Sequence, residues 1–245
     1  MKRTITIAAC QLPDIHEDIE QSLKYIFSYA LKAESRGVKL VCFPECYLQG
    51  YIVNNRTHQL AIDLSSDAFE RILYQLAEIR PVLVIGLIER DHQKVFNTAI
   101  IIKEGQLLGR YRKVKLLDGE KGIFEAGSEF PVFKTEGLTF SINICYDLNF
   151  SECTQAVASQ GVDLLVCPCN NMMRRENAEK WKYKHNESRA ERAKEGNLWL
   201  VSSDVTGERG SRISYGPTAV INSQGLIVTQ VPLLKEGMIV QQIAF

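Results

Sequence analysis

GVKLVCFP at residues 37–44 and GVDLLVCP at residues 161–168 are two copies of one pattern, a glycine followed by an apolar run that ends at proline. A second pair, TAIIIKEG at residues 98–105 and TAVINSQG at residues 218–225, repeats in the same way. The members of the two pairs begin 124 and 120 residues apart. Offsets this similar predict that the chain consists of two halves with one architecture.

Both halves show the same order of predicted elements, β-α-β-α-β-β. Apolar residues at helical spacing, such as Ile19, Leu23 and Ile26, predict the first helix, and Gly37 follows it in the position that favours a left-handed cap. The predicted elements of the first half are strand 4–10, helix 17–36, strand 39–43, helix 67–79, and strands 82–87 and 97–102. Those of the second half are strand 138–144, helix 152–160, strand 164–168, helix 175–195, which ends before Gly196, and strands 198–203 and 217–221.

The predicted strands are almost continuously apolar, which is typical of strands that are buried on both faces. Helices can cover one face of each sheet, and the equivalent sheet of the other half can cover the second face. The sequence therefore predicts an α/β protein folded as a four-layer α-β-β-α sandwich. We find no linker composition that would divide it, so we expect a single domain over residues 1–245.

Composition and charge narrow the class of protein and of partner. The 29 basic and 29 acidic residues cancel, so no overall field favours nucleic acid or an anionic membrane surface. The seven cysteines lie scattered in apolar runs, which suits a reducing compartment and predicts no structural disulfide. The start, MKRTITIAACQ, has too short an apolar stretch for a signal peptide, and no stretch reaches the length of a membrane helix. We expect a cytoplasmic protein with a small-molecule partner, and neither a nucleic acid nor a membrane.

Two residues that follow apolar strands are candidates for chemistry. Cys145 lies in INICYDLNF, where the strand is predicted to end, and a helix beginning near Ser151 could favour its thiolate. Packing is the alternative for a strand cysteine. The repeat places Cys10 opposite Cys145, each closing the first strand of its half. Glu45 directly follows a buried strand, where desolvation would raise its pKa, although an exposed turn would explain it equally well.

A third candidate segment is GRYRKVKLLDGEKGIFEAG at residues 109–127, which holds Lys113, Lys115 and Glu120 beside apolar and glycine-rich sequence. A solvated loop is the alternative interpretation of this charged stretch.

Taken in order, FPE, YRK, an E-x-x-x-F-x-x-G stretch and CYD resemble the nitrilase or carbon–nitrogen hydrolase superfamily over essentially the whole chain. The resemblance implies the α-β-β-α fold and a catalytic set of Glu45, Lys113, Cys145 and Glu120. It also implies a homodimer or larger homo-oligomer. The chain departs from the usual pattern after the cysteine, where Asn149 and Ser151 stand in place of the usual arginine and proline, and these differences bear on substrate preference.

Hydrolysis of a C–N bond through a thioester needs a nucleophile, a proton carrier and a group that holds the oxyanion. Cys145 would attack, Glu45 would move the protons, and Lys113 with the backbone N–H of Tyr146 would stabilise the oxyanion. Glu120 would orient Lys113 or the substrate amide. The aromatic segment after Glu45, which includes Tyr51, could form one wall of a pocket. The resemblance further implies that Asn170, Asn171 and Met172, after the strand that ends at Cys169, lie at the mouth of this pocket and that Trp181 helps to wall it.

Other readings remain at this point. Four cysteines in CFPEC and CPC could bind zinc, and Cys145 with His185 could form a protease pair. The run at residues 174–195 mixes basic and aromatic residues and could contact RNA, although a half-exposed helix with Trp181 facing inward explains it as well. A non-catalytic scaffold of the same fold is the alternative from a different class.

The sequence favours an amidase-type hydrolase that acts on a small amide or N-carbamoyl compound and releases ammonia. Nitrile hydrolysis is the chemical alternative. Neither reaction needs a metal or an organic cofactor, so we expect none.

Overall fold

The computed structural model describes residues 3–245, so Met1 and Lys2, which belong to the predicted domain, lie outside the described residues. The elements of the first half are β1 (Thr4–Pro13), α1 (Ile19–Glu34), β2 (Leu40–Cys42), α2 (Thr57–Leu60), β3 (Ile62–Asp63), α3 (Asp67–Gln75), β4 (Val82–Asp91), β5 (Lys94–Lys103) and β6 (Gln106–Arg112). The second half comprises β7 (Val132–Thr135), β8 (Leu138–Ile142), a 3₁₀ helix (Cys145–Asn149), α4 (Ser151–Ala158), β9 (Leu164–Pro168), β10 (Met173–Arg174), α5 (Arg175–Trp181), α6 (Lys184–Gly196), β11 (Trp199–Arg209), β12 (Arg212–Ser214), β13 (Ala219–Ile221), β14 (Ile227–Gln230) and β15 (Gly237–Ala244).

The two halves have the same strand order. The first sheet runs β1-β2-β4-β5-β6 and the second runs β8-β9-β11-β13-β14. In each sheet the first three strands are parallel and the last two are antiparallel. This arrangement confirms the predicted β-α-β-α-β-β repeat and adds a further strand to each half, β6 and β14.

The glycines that open the two repeated stretches explain why the pattern begins as it does. Gly37 and Gly161 both have a φ of 72°, the left-handed conformation that ends a helix and that side chains other than glycine's rarely adopt. Each glycine therefore turns the chain from a covering helix into a buried strand.

Within residues 3–245, two strand pairings join the halves. β1 is parallel to β11, with partners from Gln11 and Asp204 to Pro13 and Thr206. The C-terminal strand β15 is antiparallel to β1 along its whole length, so the last strand of the second half completes the first sheet.

The inner faces of the two sheets pack against each other and form one buried apolar layer. Its members include Ile7, Leu40, Val84 and Ile101 from the first sheet and Ile142, Val166, Val201 and Val220 from the second. The side chains alternate along each strand, so the neighbouring residues point outward to the helices.

The outer faces are covered by helices. α1 and α3 place Ile26 and Phe69 in the cluster that covers the first sheet. α4 and α6 place Val157 and Ala193 in the cluster that covers the second sheet. The layers are therefore helix, sheet, sheet, helix, which confirms the predicted four-layer α-β-β-α sandwich.

Several predicted boundaries were wrong. The helix predicted over 175–195 is two helices, because α5 contacts the short strands β10 and β12 whereas α6 lies on β11 and β13. α6 also includes Gly196, and the left-handed residue after it is Asn197, with a φ of 48°. The strand before Cys145 ends at Ile142, and Cys10 lies inside β1 rather than at its end.

All seven cysteines carry free thiols. Among residues 3–245, no helix has both the length and the apolar character required to span a bilayer.

Candidate active site

The candidate residues meet where strands of both sheets end, at their carboxyl ends, and this is where α/β proteins usually place ligands. Glu45 follows β2 and Lys113 follows β6, both in the first half. Cys145 follows β8 and Asn170 follows β9, both in the second half. The site therefore lies on the seam between the halves.

Lys113 links the two glutamates. Its Nζ donates to Oε1 of Glu45 at 2.8 Å and to Oε1 of Glu120 at 2.9 Å. All three side chains are about 1% exposed, so these are buried ion pairs. Asn97 on β5 was not predicted, yet its Nδ2 donates to the same two oxygens, at 2.8 Å to Glu45 and 3.3 Å to Glu120.

Burial and the neighbouring charges both shift the pKa values of Glu45 and Lys113. Burial raises the pKa of Glu45, the charge of Lys113 opposes that shift, and the charge of Glu120 adds to it; the pKa is raised overall. Burial works against the ammonium of Lys113, but the charges around it, Glu45 foremost, raise the pKa of Lys113 well above its usual value. Lys113 is therefore a permanent cation, whereas Glu45 is a carboxylate that accepts a proton more readily than an exposed glutamate.

Cys145 opens the 3₁₀ helix in the left-handed conformation, with a φ of 44°. This conformation is strained for a residue with a side chain and is common where a fold positions a functional group. The thiol is half-buried, and its Sγ lies 3.9 Å from Oδ1 of Asn171. A hydrogen bond with Cys169, burial and the charge of Glu45 raise the pKa of Cys145 well above its usual value.

The expectation that a helix favours the thiolate was therefore wrong. α4 does begin at Ser151, with the 3₁₀ helix between it and Cys145 along the chain, and the pKa of the thiol is raised rather than lowered. With a raised pKa, Cys145 rests as a neutral thiol and needs a base to become a nucleophile.

Asp147, two residues after the cysteine, holds the Cys145 and Lys113 segments together. Its carboxylate accepts hydrogen bonds from the backbone N–H of Ile144 at 2.8 Å and of Lys115 at 2.7 Å. It also accepts from the hydroxyl of Tyr111 at 2.8 Å. Burial raises the pKa of Asp147 to about 6 in spite of these donors. The aspartate of CYD thus has a bracing role that the sequence did not reveal.

The alternative interpretation of a solvated loop holds for only part of the segment 109–127, since Asp118, Lys121 and Glu125 are exposed whereas the two candidate residues are not. Lys113 and Glu120 are buried, and the Gly127 N–H donates to the Lys113 carbonyl at 2.8 Å. A side chain on Gly127 would collide with the Arg112 carbonyl, since an added Cβ would lie 2.3 Å from that oxygen. Glycine at this position lets the loop close against the strand that delivers Lys113.

A second buried network forms the wall behind the cysteine, and the sequence did not predict it. Oε2 of Glu45 accepts from the backbone N–H of Asn170 at 2.9 Å. Asn171 donates its backbone N–H to Asp204 at 3.0 Å. Arg189 lies 3.6 Å from Asp204 and donates to the sulfur of Cys169 at 3.0 Å. Burial raises the pKa of Asp204 to about 6.

One pocket of about 520 Å³ opens beside this group. Nine of the ten predicted site residues line it, namely Glu45, Tyr51, Lys113, Cys145, Tyr146, Asn170, Asn171, Met172 and Trp181. Glu120 is the tenth; it lies behind Lys113 and faces an adjoining cavity of about 510 Å³, which also touches Tyr51. Asn149, one of the residues that depart from the family pattern, also lines the first pocket.

The alternative readings fit this geometry less well. The four cysteines proposed for zinc are divided among three separate apolar clusters, with Cys42 between the sheets, Cys46 near Ile88, and Cys167 and Cys169 beneath α6. The part of the chain that the structure describes holds no group of three or more metal-ligating side chains.

His185 is a poor general base in this environment. Burial and the charge of Arg189 lower its pKa to about 3, and its ring packs against Trp181 with centroids 5.4 Å apart. Trp181 faces the pocket rather than an open basic surface, which argues against an RNA contact.

Known proteins resemble this chain over most of its length. A probable nitrilase of Schizosaccharomyces pombe is 28% identical over 95% of this chain and 86% of its own length. The omega-amidase of Homo sapiens is 26% identical over 83% of this chain and 76% of its own length.

An amidase from Nesterenkonia sp. shares the fold, with a TM-score of 0.86 and 24% identity over 98% of this chain and 90% of that one. Another structure of that amidase, a mutant, contains the acetamide moiety of fluoroacetamide added covalently at its active-site cysteine. The family model described as carbon-nitrogen hydrolase matches residues 6–245, and the chain therefore belongs to the carbon–nitrogen hydrolase family.

Proposed function

We propose that this protein hydrolyses the C–N bond of a small amide or N-carbamoyl compound through a thioester on Cys145 and releases ammonia. The observation that carries the proposal is the position of the Lys113 ammonium, 2.8 Å from Glu45 and 2.9 Å from Glu120, in the wall of the pocket that Cys145 also lines. A buried base, a fixed cation and a thiol around one small pocket are the groups that acyl transfer requires.

In the first half of the reaction, Glu45 takes the thiol proton as Sγ of Cys145 bonds to the amide carbon. The carbonyl π electrons move to oxygen, and the oxyanion accepts hydrogen bonds from Lys113 and from the backbone N–H of Tyr146. When the oxyanion collapses, the C–N bond breaks and Glu45 returns the proton to nitrogen, which leaves as ammonia. The acyl group remains on Cys145 as a thioester.

In the second half, Glu45 takes a proton from water as the water oxygen bonds to the thioester carbon. The new oxyanion uses the same two donors, and its collapse breaks the C–S bond. The proton returns to sulfur, the carboxylic acid leaves, and the site regains its starting charge. The raised pKa of Glu45 suits a group that must accept and return a proton in each half.

Lys113 contributes a charge that is present before the reaction begins. Two of its donors hold Glu45 and Glu120, so its position is fixed, and a fixed donor stabilises an oxyanion without reorganisation. Loss of one such donor typically costs about 100- to 1,000-fold in rate. Glu120 acts by orienting Lys113, because the two are in direct contact and Glu120 faces away from the main pocket.

Cys145→Ala tests the proposal, with Cys10→Ala as the matched control. Cys10 is a fully buried thiol in the cluster beneath α1, away from the pocket, so its removal should leave turnover largely intact. We expect Cys145→Ala to fold normally and to lose about 10⁴-fold or more in ammonia release. The assay panel contains small amides, carbamoyl amines and nitriles, and intact-protein mass spectrometry measures acyl adducts on the wild type.

An acyl adduct that is absent from Cys145→Ala and present in Cys10→Ala would support the thioester. Equal rates in both variants would refute it, and a wild type without adduct or ammonia across the panel would favour the non-catalytic scaffold. The panel also separates amide from nitrile preference. Homodimeric assembly and a cytoplasmic location stay predictions.

A further inference from the structure

The side chain of Asn171 lies between the proposed nucleophile and a buried carboxylate. Its Oδ1 is 3.9 Å from Sγ of Cys145, and its Nδ2 donates to Oδ2 of Asp204. The backbone N–H of Asn171 donates to the other oxygen of the same carboxylate at 3.0 Å. Asn171 is 7% exposed and lines the pocket. This asparagine is therefore held through both its backbone and its side chain.

The carboxylate decides which end of the Asn171 amide faces the pocket. Asp204 is fully buried, and the guanidinium of Arg189 lies 3.6 Å from it. Burial raises the pKa of Asp204 to about 6, so this group is ionised near neutral pH. An ionised carboxylate only accepts hydrogen bonds, so it selects the –NH2 end of the amide and leaves Oδ1 turned towards Cys145. A flipped amide would set two acceptors against each other in a buried place.

Oδ1 of Asn171 is an acceptor whose donor is lost during the proposed reaction. Within residues 3–245, the Cys145 thiol is the hydrogen-bond donor that the structure gives to this oxygen, and a thiol is a weak donor. When Glu45 takes the thiol proton, Oδ1 faces an electron-rich sulfur that carries no hydrogen. A buried acceptor without a donor is unfavourable. A donor that arrives with the substrate would remove this cost.

The leaving group of an amide can be that donor. The carbon that Sγ attacks also carries the nitrogen, so the –NH2 group can come within hydrogen-bond reach of an acceptor 3.9 Å from the sulfur. The proposed base lies on the same wall, because the backbone N–H of the adjacent Asn170 donates to Oε2 of Glu45 at 2.9 Å. Glu45 would then return its proton to a nitrogen that Oδ1 of Asn171 already orients.

We propose that Oδ1 of Asn171 accepts a hydrogen bond from the –NH2 leaving group and makes the site selective for amides over esters, with Asp204 as the positioning residue that keeps Oδ1 turned to the pocket. This inference rests on the proposed function and narrows its substrate class to compounds whose leaving nitrogen carries hydrogen. The alkoxy oxygen of an ester presents only lone pairs at this place, and these repel Oδ1.

The test compares two substrates that form the same thioester. Propionamide and methyl propionate both leave a propionyl group on Cys145, and they differ in whether the leaving group carries N–H. The value of kcat/KM for propionate release therefore compares the steps up to the departure of that group. Leucine is similar in shape to asparagine and has no acceptor. In Asn171→Leu we expect kcat/KM to fall about tenfold or more for propionamide and to stay unchanged or rise for methyl propionate.

Asn177→Leu is the matched control, because Asn177 is an exposed asparagine on α5 that lines the same pocket. Its ratio of amide to ester kcat/KM should equal that of the wild type. Asp204→Asn should lower the ratio, since an amide at residue 204 no longer selects the –NH2 end of Asn171.

Thermal unfolding checks that each variant folds. If Asn171→Leu does not, Asn171→Ser replaces it, because a hydroxyl can still donate to Asp204 although the amide oxygen is gone. An equal fall for both substrates in the Asn171 variant, or an equal fall of the ratio in Asn177→Leu, would overturn the inference while the thioester chemistry stands. A wild-type ratio in a folded Asp204→Asn protein would refute the positioning role.

A binding measurement separates this inference from the reaction. Propionamide and methyl propionate are titrated calorimetrically into Cys145→Ala and into Cys145→Ala combined with Asn171→Leu. A loss of affinity of about tenfold in the double variant, for propionamide alone, supports the acceptor even if neither compound is hydrolysed. Equal affinities for propionamide in the two proteins, or no binding to either, would refute the inference without reference to turnover.

Discussion

At the residue scale, the site depends on one ammonium between two carboxylates. Lys113 contacts both Glu45 and Glu120, and all three are buried. A buried charge without a partner is costly, so removing Lys113 would leave two buried carboxylates that repel each other, whereas removing either carboxylate changes the charge that acts on the remaining ion pair. The catalytic effect of such a change therefore includes an electrostatic change at its neighbours.

The pH dependence of kcat/KM should reveal this coupling. Glu45 must be ionised to accept the thiol proton, so activity is lost as pH falls through its raised pKa, and the acid limb should lie above the usual glutamate range. Glu120→Gln removes a negative charge that raises the pKa of Glu45, so we expect the acid limb to move to lower pH by about one unit. Ammonia release measured across pH gives the limb directly.

Glu129→Gln provides the control, since Glu129 is exposed on the loop between the halves and should leave the limb in place. Both variants keep Asp147 and Asp204, the carboxyl groups whose pKa values burial raises to about 6. An acid limb at the same pH in wild type and Glu120→Gln would contradict its assignment to Glu45.

Sequence reasoning identified Glu45 and Cys145 because each follows an apolar strand within a short motif, and Lys113 because it lies in the YRK motif of a charged segment. It missed Asn97, Arg189 and Asp204, whose partners come from distant parts of the chain. One signal was available: Asn97 and Asp204 are polar residues that interrupt apolar strands, and buried polar groups need partners. The raised pKa of Cys145 depends on Cys169, a contact that neither local sequence contains.

At the scale of elements, β4 sets the position of the turn that carries Glu45. Gly86 on β4 accepts a hydrogen bond at its carbonyl from the Leu48 N–H, 3.0 Å away. A Cβ at Gly86 would lie 2.3 Å from the Pro44 carbonyl and 2.4 Å from the Cys46 nitrogen. These are backbone atoms, so the turn itself would have to move.

Gly86→Ala should therefore lower kcat/KM by about 10- to 100-fold, because a small misplacement of a catalytic group is costly. We also expect a loss of about 1–3 kcal/mol of unfolding free energy from overpacking. Thermal unfolding and steady-state ammonia release measure the two effects. Gly119→Ala is the control, since no atom lies within 4 Å of its added Cβ. Wild-type kinetics in Gly86→Ala would show that Glu45 does not depend on this contact.

Elements with strong periodicity were predicted and the short ones were not. The buried strands and α1 repeat apolar residues at clear intervals, so sequence alone placed them. The break between α5 and α6 has no proline or glycine signal; it arises because the two helices contact different strands. β10 and β12 are two and three residues long, too short for any periodic pattern, yet they place Arg174 opposite Arg212 beside the pocket.

At the scale of the whole molecule, the repeat at residues 37–44 and 161–168, combined with apolar periodicity, predicted two similar halves, each with a sheet and covering helices. It could not predict that β15 returns to pair with β1, because that pairing joins opposite ends of the chain. Nor could the repeat show which strand ends of each half carry the candidate site residues.

A chain divided between Ser128 and Glu129 should test how far the halves depend on each other. Both residues are exposed. The cut keeps the strands of each half on one fragment, and the β1–β15 and β1–β11 pairings then join the two fragments. Because the inner sheet face of each half would be open, we expect each fragment alone to aggregate and to lack activity. Co-expression should restore ammonia release, and size-exclusion chromatography would detect the complex. Activity in a single fragment would contradict the location of the site on the seam.

The repeated strand order also has a historical consequence. Glu45 stands 124 residues before Cys169, the same interval that separates the two copies of the opening stretch, so the two occupy equivalent places in the halves. The first half thus has a glutamate, Glu45, at the position where the second half has a cysteine, Cys169. If the gene arose by duplication, an ancestral single unit would have had to assemble as a symmetric pair, and fusion would have freed each copy to specialise.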